Sequence, residues 1–350
     1  MARTLRLKKF KDLSLDDPFF DSLKAGYGEF PKWFQSKAEE PVYVVMDEND
    51  HLSGMIYLKL EKGAVTDVEP NLPNGNWLKV GTLKIEGKGT KLGERVIKKI
   101  FDTALASQAT GIYVTIFELH DSLIKLFKRY GFEKTAEKTT DNGVEFVLSR
   151  SLTAHSQDML RSYPFIRVND RKQWLLAVYP EFHSRFLPDS ILHNEPKEIV
   201  QDVSYTNTIH KIYVAKLPLT RMEEGDSVIM YRTSDNKGPA YYRSVATSIC
   251  VVEETHRRKD FATVEEFLAY TKPHSVFSED ELRDMYVSWG RLYTVKMTYN
   301  VAFNKRITRG DLMELADVPE QPRWDLKRLT EQQFLKIVEL GKVNESIIVD

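Results

Sequence analysis

Residues 88–101 read KGTKLGERVIKKIF, a stretch of glycines and lysines that passes into an amphipathic run. Leu92, Val96, Ile97, Ile100, Phe101 and Ala104 recur at the spacing of one helix face, while Glu94, Arg95, Lys98, Lys99 and Asp102 fall on the other. The preceding NWLKVGTLKIEG, residues 76–87, reads as a strand that enters a turn at Gly87. Strand, glycine turn and helix start together place unpaired backbone N–H groups at the positive end of a helix dipole, which is a site for a phosphate. An ordinary glycine turn into a core helix carries the same pattern.

The elements that would position such a site follow from patterning. In the first half, strands are expected at TLRLKKF, PVYVVMD, GMIYLKL, WLKVGTLKI, IYVTIFE and VEFVLS, with helices near residues 17–37, 91–107 and 121–130. That order predicts a mixed α/β (α+β) sheet flanked by helices. The second half changes to short apolar runs, IHKIYVAKL, DSVIMYRTS, YYRSVATSICVVEE and GRLYTVKMTYNVAF, divided by Gly, Pro and Asp turns. These predict a small β-barrel with attached helices. The expected division is 1–152 for the first domain, 153–200 for a linker and packing segment containing WLLAVYPEFHSRFLPD, and 201–350 for the second domain.

Composition narrows the function. The 350 residues are 42% hydrophobic and 29% charged, as in a water-soluble globular protein of two domains. There is no apolar run of membrane length, and MARTLRLKKF lacks the apolar middle of a signal peptide, so a cytoplasmic protein without a membrane partner is expected. The single Cys250 excludes an intrachain disulfide and argues against a cysteine metal site; no metal is expected. A net charge of -1 confines any nucleic-acid contact to a local patch. The basic run HRRKD, residues 256–260, reads as a solvated loop.

The segment LKVGTLKIEGKGTKLGERVIKKIF resembles motif A of the GNAT acetyltransferases, in which Arg or Gln, two residues, Gly, one residue, and Gly or Ala precede a helix. Gly93 matches the second glycine, Lys88 stands at the Arg/Gln position, and Lys91 departs from the first glycine. The later ELHDSLIKLFKRYGFEK looks like motif B, ending in Gly131 and Phe132. The resemblance implies that Lys88, Gly89, Thr90, Lys91, Leu92, Gly93 and Glu94 hold the pyrophosphate of acetyl-CoA. It also implies an oxyanion donor from backbone N–H near Leu83 to Ile85. The tyrosine that often protonates the leaving thiolate in this family is Phe127 here, and Tyr130, one turn on, is either its substitute or a core aromatic. Glu86 and Glu118, carboxylates at the edge of an apolar sheet, and His120 are the candidate bases. Asp121 or Ser122 beside His120 would cap the next helix.

The second half is similar to the PUA-like barrels, which include ASCH and EVE domains and often bind RNA or modified bases. The resemblance rests on GDSVIMYRT, GPAYYRSVATSICVVEE, SYTNTIHKIYVAK, KRITRGDLMEL and RLTEQQFLKIV. Aromatic side chains interleaved with cations, Tyr231, Arg232, Tyr242, Arg243 and Trp289, are candidates for stacking bases and holding phosphates, with Asn207 and Lys211 at a pocket mouth. Tyrosines of a small barrel are also commonly wall residues. The expected function is an acetyl-CoA-dependent N-acetyltransferase acting on an RNA-borne amine, such as an aminoacyl-tRNA or a base, with a toxin-like role conceivable. The alternative is an acyl-CoA-sensing or weakly catalytic regulator that binds nucleic acid. Homodimer formation is left open.

Overall fold

The computed structural model describes residues 4–47, 49–86, 92–187 and 208–350. They form two compact units that divide between Ser162 and Tyr163.

The first unit contains β1 (Thr4–Lys9), α1 (Asp21–Gly26), α2 (Phe30–Ser36), β2 (Pro41–Met46), β3 (Leu52–Val65), β4 (Leu72–Ile85), α3 (Leu92–Ala106), β5 (Gly111–Phe117), α4 (Asp121–Arg129), β6 (Glu133–Thr140), β7 (Gly143–Ser151) and α5 (Met159–Ser162). Its seven strands are ordered β1-β2-β3-β4-β5-β7-β6, antiparallel except for β4 beside β5. All six expected strands and the three helical regions are present. Before α1, Asp17 accepts the Phe19 N–H at 2.9 Å and starts the turn that drives Phe19 and Phe20 inward. There they join Phe10, Phe30, Phe34, Val42, Val44, Met55 and Tyr57 in one apolar cluster.

Two features depart from the patterning. β6, EKTAEKTT, has no apolar alternation because it is an edge strand in which Ala136 alone is buried. In α3 the face expected to be polar is also covered: Glu94, Arg95 and Lys98 are buried along with the apolar stripe. Lys98 holds Asp102 at 2.8 Å, and long side chains of this kind bury their aliphatic stems while keeping the charge paired.

The second unit holds β8 (Ile166–Arg167), β9 (Gln173–Val178), α6 (Pro180–Phe186), β10 (His210–Ala215), β11 (Ser227–Arg232), α7 (Ala240–Arg243), β12 (Val245–Arg257), α8 (Val264–Thr271), α9 (Glu279–Ser288), β13 (Tyr293–Thr308), α10 (Arg309–Glu314), β14 (Leu326–Leu329), α11 (Glu331–Leu340) and β15 (Ile348–Val349). Six strands make one mixed sheet, ordered β10-β13-β12-β11-β9-β14. The expected barrel takes this open form: its edge strands β10 and β14 are not paired with each other among the described residues. β9 corrects the expected linker. It pairs in parallel with β11 over all six residues, and the Trp174 indole N–H donates to Asp226 at 2.8 Å. WLLAVYPEFHSRF is therefore an interior strand and helix of the second unit, as its fully apolar core pattern allows.

The YGF ending of α4 is a helix stop. Gly131 N–H donates to Lys128 O at 3.1 Å and Phe132 N–H to Phe127 O at 3.3 Å, with Gly131 at φ +81°, which is the paired hydrogen-bond pattern of a left-handed glycine cap. A Cβ there would lie 2.4 Å from the Arg161 carbonyl oxygen. Gly131→Ala should therefore destabilise the first unit by about 2–4 kcal/mol, from the left-handed backbone plus the clash, measured by urea denaturation. A loss below about 0.5 kcal/mol would contradict this account of the cap.

Candidate functional site

β4 and β5 are parallel neighbours, yet they pair over only four residues, Trp77–Val80 with Gly111–Val114. β4 continues to Ile85 and β5 to Phe117, so beyond Val80 a gap opens between them. A bulge in the β3–β4 ladder accompanies the parting: Leu58 pairs with Val80 but Tyr57 with Thr82, leaving Gly81 as the extra residue. Such a bulge bends its strand. Gly81 is needed because a Cβ would lie 2.8 Å from the Tyr57 ring. On its other edge β4 stays paired to β3, ending with the Glu86 N–H donating to Ser53 O at 2.8 Å. Among the described residues, the β5-facing edge of residues 81–85 has no strand partner.

Around the gap the expected residues have these places. Thr82 and Lys84 pair with Tyr57 and Met55, on the side of the aromatic cluster, and Leu83 and Ile85 take the opposite face. Leu92 is buried, and a Cβ on Gly93 would meet the Leu126 side chain at 2.8 Å, so Gly93 sets the approach of α3 to α4. Lys88, Gly89, Thr90 and Lys91 lie outside the described residues, and so does Asn207. Glu86 is half exposed and bound to Lys84 Nζ at 2.8 Å. Lys84 also donates to Phe19 O and lies 4.5 Å from the Phe19 ring centre. Glu118 and His120 are exposed. His120 occupies the position before α4, where neither it nor Asp121 or Ser122 caps the helix through a side chain.

Tyr130 is at the other end of that nine-residue helix, about 15 Å from His120 at 1.5 Å per residue. One reacting centre cannot face both. Tyr130 is fully buried, and its carbonyl accepts from Arg150 at 2.5 Å. Phe127 is a core residue as well, 4.8 Å from Phe132 in an edge-on pair.

A group that pattern reading passed over is Glu145. β7 exposes Val144 (47%) and buries Glu145 (9%), the reverse of what apolar and charged residues usually do. Glu145 pairs across with Phe117 on β5 and Lys138 on β6. Burial raises its carboxyl pKa, against the opposing pull of Lys138, the Thr115 hydroxyl and Lys79. Above Phe117 stacks Tyr27, ring centres 5.9 Å apart, its phenol pushed to about 12 by burial and by Glu145 and Glu29. Asn142 donates to Glu29 at 2.9 Å, tying the α1–α2 turn to the β6–β7 turn. Next along the same sheet face, Tyr113 donates to Glu61 at 2.6 Å and Lys79 lies 3.9 Å from Glu61. Burial lowers the Lys79 pKa, although Glu61 opposes it. Glu61, Lys79 and Asp67 line a groove of 460 Å³. Only the parity of VEFVLS, which sets Glu145 on the face of Val147, could have signalled this carboxylate.

In the second unit a 600 Å³ pocket lies past the carboxyl ends of the parallel strands β9 and β11, lined by Tyr231, Thr233, Ser244, Arg309, Trp324 and Asp325 among others. The Tyr231 and Trp324 rings are 5.4 Å apart, and the Arg309 guanidinium is 4.7 Å from the Trp324 ring centre. Thr233 Oγ1 and Trp324 Nε1 are buried and make no hydrogen bond among the described residues, while the Tyr231 hydroxyl lies beside Ser244 and Arg309. Each such donor costs about 1–3 kcal/mol until an acceptor reaches it.

The proposed RNA contacts do not form one surface. Tyr231 and Arg232 are both buried because every residue of β11, an interior strand, is covered. Lys211 is 1% exposed, enclosed near the Phe186 and Tyr299 rings. Arg243 is bound by both oxygens of Asp235 at 2.5 Å, holding the Asp235 carboxyl well below the usual range. Trp289 is half-buried under Lys216, 4.7 Å away. Among the described members of the set, Tyr242 alone stands exposed. Trp324, Arg309 and Thr233 were missed because the pocket joins segments remote in sequence.

No family model matches the chain, and no curated protein does. Among solved structures, the chain is similar to ASCH from Zymomonas mobilis (16% identity over 49% of this chain and 96% of that one, TM-score 0.34). It is also similar to a GNAT superfamily phosphinothricin acetyltransferase from Sinorhizobium meliloti in complex with AcCoA (16%, 43% and 89%, TM-score 0.32). A third is Chaetomium thermophilum Naa20 in complex with a bisubstrate analogue (17%, 42% and 86%, TM-score 0.32). No helix among the described residues is long and apolar enough to cross a membrane.

His183 gives the second unit a pH signature. It is wholly buried, its Nε2 is 2.8 Å from Thr247 Oγ1, and burial with Arg232 and Arg306 nearby lowers its pKa to about 3. A folded pKa below the unfolded value near 6.5 means that protons favour the unfolded chain. Its stabilising contribution is complete above about pH 6.5 and is lost as pH falls toward 3, at about 1.4 kcal/mol per unit. Urea titrations at pH 6, 5 and 4 should show this slope, and His183→Gln should flatten it; an unchanged slope would exclude His183 as its source.

Proposed function

We propose that the first unit is an acetyl-CoA-dependent N-acetyltransferase, and that the second binds the RNA that carries the acceptor amine. The observation that carries the first part is the gap between β4 and β5 immediately before α3. An extended amide chain can add to the open edge of β4 as a strand would, and the pantetheine arm of acetyl-CoA is such a chain. Its pyrophosphate would then reach toward the α3 start, where motif A expects Lys88 to Glu94.

The chemistry uses groups of the gap. The acceptor nitrogen forms a bond to the thioester carbonyl carbon, a backbone N–H near Leu83 to Ile85 stabilises the oxyanion, and the C–S bond breaks with the electron pair leaving on sulfur. A thiolate whose conjugate acid has a pKa of about 8.5 can leave without a dedicated acid, which suits the burial of Phe127 and Tyr130 in the core. The same burial also favours the regulatory reading, in which acyl-CoA is bound and not turned over.

For the second part, the support is the 600 Å³ pocket lined by Arg309, Thr233 and the Tyr231–Trp324 ring pair. The acceptors of an unpaired base or a phosphate would meet Arg309, which lines the pocket beside the buried ring pair. Acetylating a charged tRNA would block its use in translation, the outcome of a toxin-like role.

The deciding experiment measures acetyl-CoA affinity by calorimetry and radiolabelled acetyl transfer to bulk tRNA, charged tRNA and protein extract. Transfer to RNA is expected; coenzyme binding without transfer to any acceptor would leave the regulatory reading, and no coenzyme binding would remove both. Arg309→Ala should weaken RNA binding, read by fluorescence anisotropy at low salt, by about 10- to 150-fold, corresponding to about 1.5–3 kcal/mol for a hydrogen bond to a charged group. It should leave acetyl-CoA affinity unchanged. RNA affinity equal to wild type would place the interface elsewhere.

A further inference from the structure

We propose that Lys79 is a covalent modification site: standing in a groove beside the open edge of β4, its amine accepts the acetyl group of acetyl-CoA bound to the same chain. The inference rests on the acetyltransferase reading of the first unit and adds to it an acceptor that the chain itself supplies.

The groove is made by a crossing of the chain. After Val65 the segment leaving β3 passes to β6, where Glu69 and Glu137 exchange two backbone hydrogen bonds at 2.8 Å and Asp67 binds Lys138 at 2.5 Å. Val65, Val68, Leu72, Trp77 and Tyr113 pack there into a small apolar cluster. Beside it opens the 460 Å³ groove, lined by Lys59, Glu61, Val65, Thr66, Asp67 and Lys79 among others. An acetyl group on a lysine at its wall has room to lie in it.

Lys79 differs from its neighbours in how its amine is held. Lys59 donates to Glu61 at 2.9 Å, Lys138 is bound to Asp67, and Lys84 is bound to Glu86 at 2.8 Å. The Lys79 amine lies 3.9 Å from Glu61, past hydrogen-bonding distance, and 5.4 Å from the centre of the Tyr113 ring. Burial lowers its pKa, and Lys138 and Lys59 act in the same direction against Glu61 and Asp67. Glu145 also faces it. A half-buried lysine of this kind is neutral more often than a solvated one, and the neutral amine is the nucleophile.

Position supplies the rest. Lys79 stands one residue before Val80, the last residue of β4 paired to β5, and the edge open to the pantetheine arm starts at Gly81. Two strand residues cover about 7 Å, a distance that a flexible four-carbon stem spans. The Lys79 ammonium first loses a proton to solvent, and its lone pair forms the N–C bond at the acetyl carbonyl. The oxyanion collapses, the C–S bond breaks with its electron pair on sulfur, the nitrogen loses a second proton to water, and the thiolate takes one up. The product is a neutral amide, so the positive charge that faces Glu61 and Glu145 is removed.

The test incubates the full chain with deuterated acetyl-CoA and no other acceptor, and maps the label by peptide mass spectrometry. Lys79 should carry at least about 10-fold more label than any other lysine, because the bound thioester is held near it, at a first-order rate independent of chain concentration. The urea-unfolded chain should lose that selectivity. Lys79→Arg should abolish the selective label and keep the acetyl-CoA affinity of wild type. Glu61→Gln removes a group that holds the Lys79 pKa up, so half-maximal labelling rate should move to lower pH. Label spread evenly over the lysines, a rate that scales with chain concentration, or acetyl transfer to added acceptors with none on Lys79 would each overturn this inference while the acetyltransferase reading stands. A wild-type chain that binds no acetyl-CoA would overturn both.

Discussion

The first unit is organised by an interruption in its sheet. β4 has β3 on one edge for its whole length, but β5 on the other for only four residues. The extra residue at Gly81 is where its course changes, and Tyr57 makes the change obligatory by filling the space that a side chain at position 81 would need. Tyr57 is itself fixed by Phe10 and Trp33, with ring centres 5.4 and 5.8 Å away. The apolar cluster that stabilises the unit therefore also holds the gap open. Because the distortion is braced by core packing, the gap can be present before any ligand arrives.

The second unit spends its polarity differently. Its core buries Lys211, Arg232, His183 and several hydroxyls, while the pocket beyond β9 and β11 keeps two buried donors without partners among the described residues, on Thr233 and Trp324. Buried polar groups are normally satisfied. Thr233 and Trp324, from segments about 90 residues apart, are the two exceptions lining this pocket.

Periodicity made the frame legible. Strands with one buried face and the stripe of α3 stood out because the solvent boundary writes itself into alternation. Where that boundary was absent, the reading failed: β6 is nearly all solvated, and β9 is covered on all sides, so neither alternates. The helix stop at Gly131 was visible as a motif, and its cause, the Arg161 carbonyl, lies 30 positions on in the chain. For the site, the strand before α3 could be found from sequence, since gap and helix start are consecutive. Glu145 and Trp324 could not, because each acquires its meaning from neighbours that only folding supplies. Arg232 was misjudged for the related reason that cations beside tyrosines look alike whether a strand is at the rim or inside.

An open edge inside a sheet is a hazard, since unpaired strand groups recruit other strands. Other proteins blunt such edges with lysines, prolines or a covering segment. Here the edge of β4 beyond Val80 carries Lys84, but that charge is turned back onto Phe19 and Glu86 instead of outward as a guard. The opposite bank, residues 115–117 of β5, presents threonine, isoleucine and phenylalanine, which would favour strand addition. An edge left this receptive between two core strands is retained at the expense of sheet stability. Under the acetyltransferase reading, a narrow extended ligand completes that ladder and leaves again.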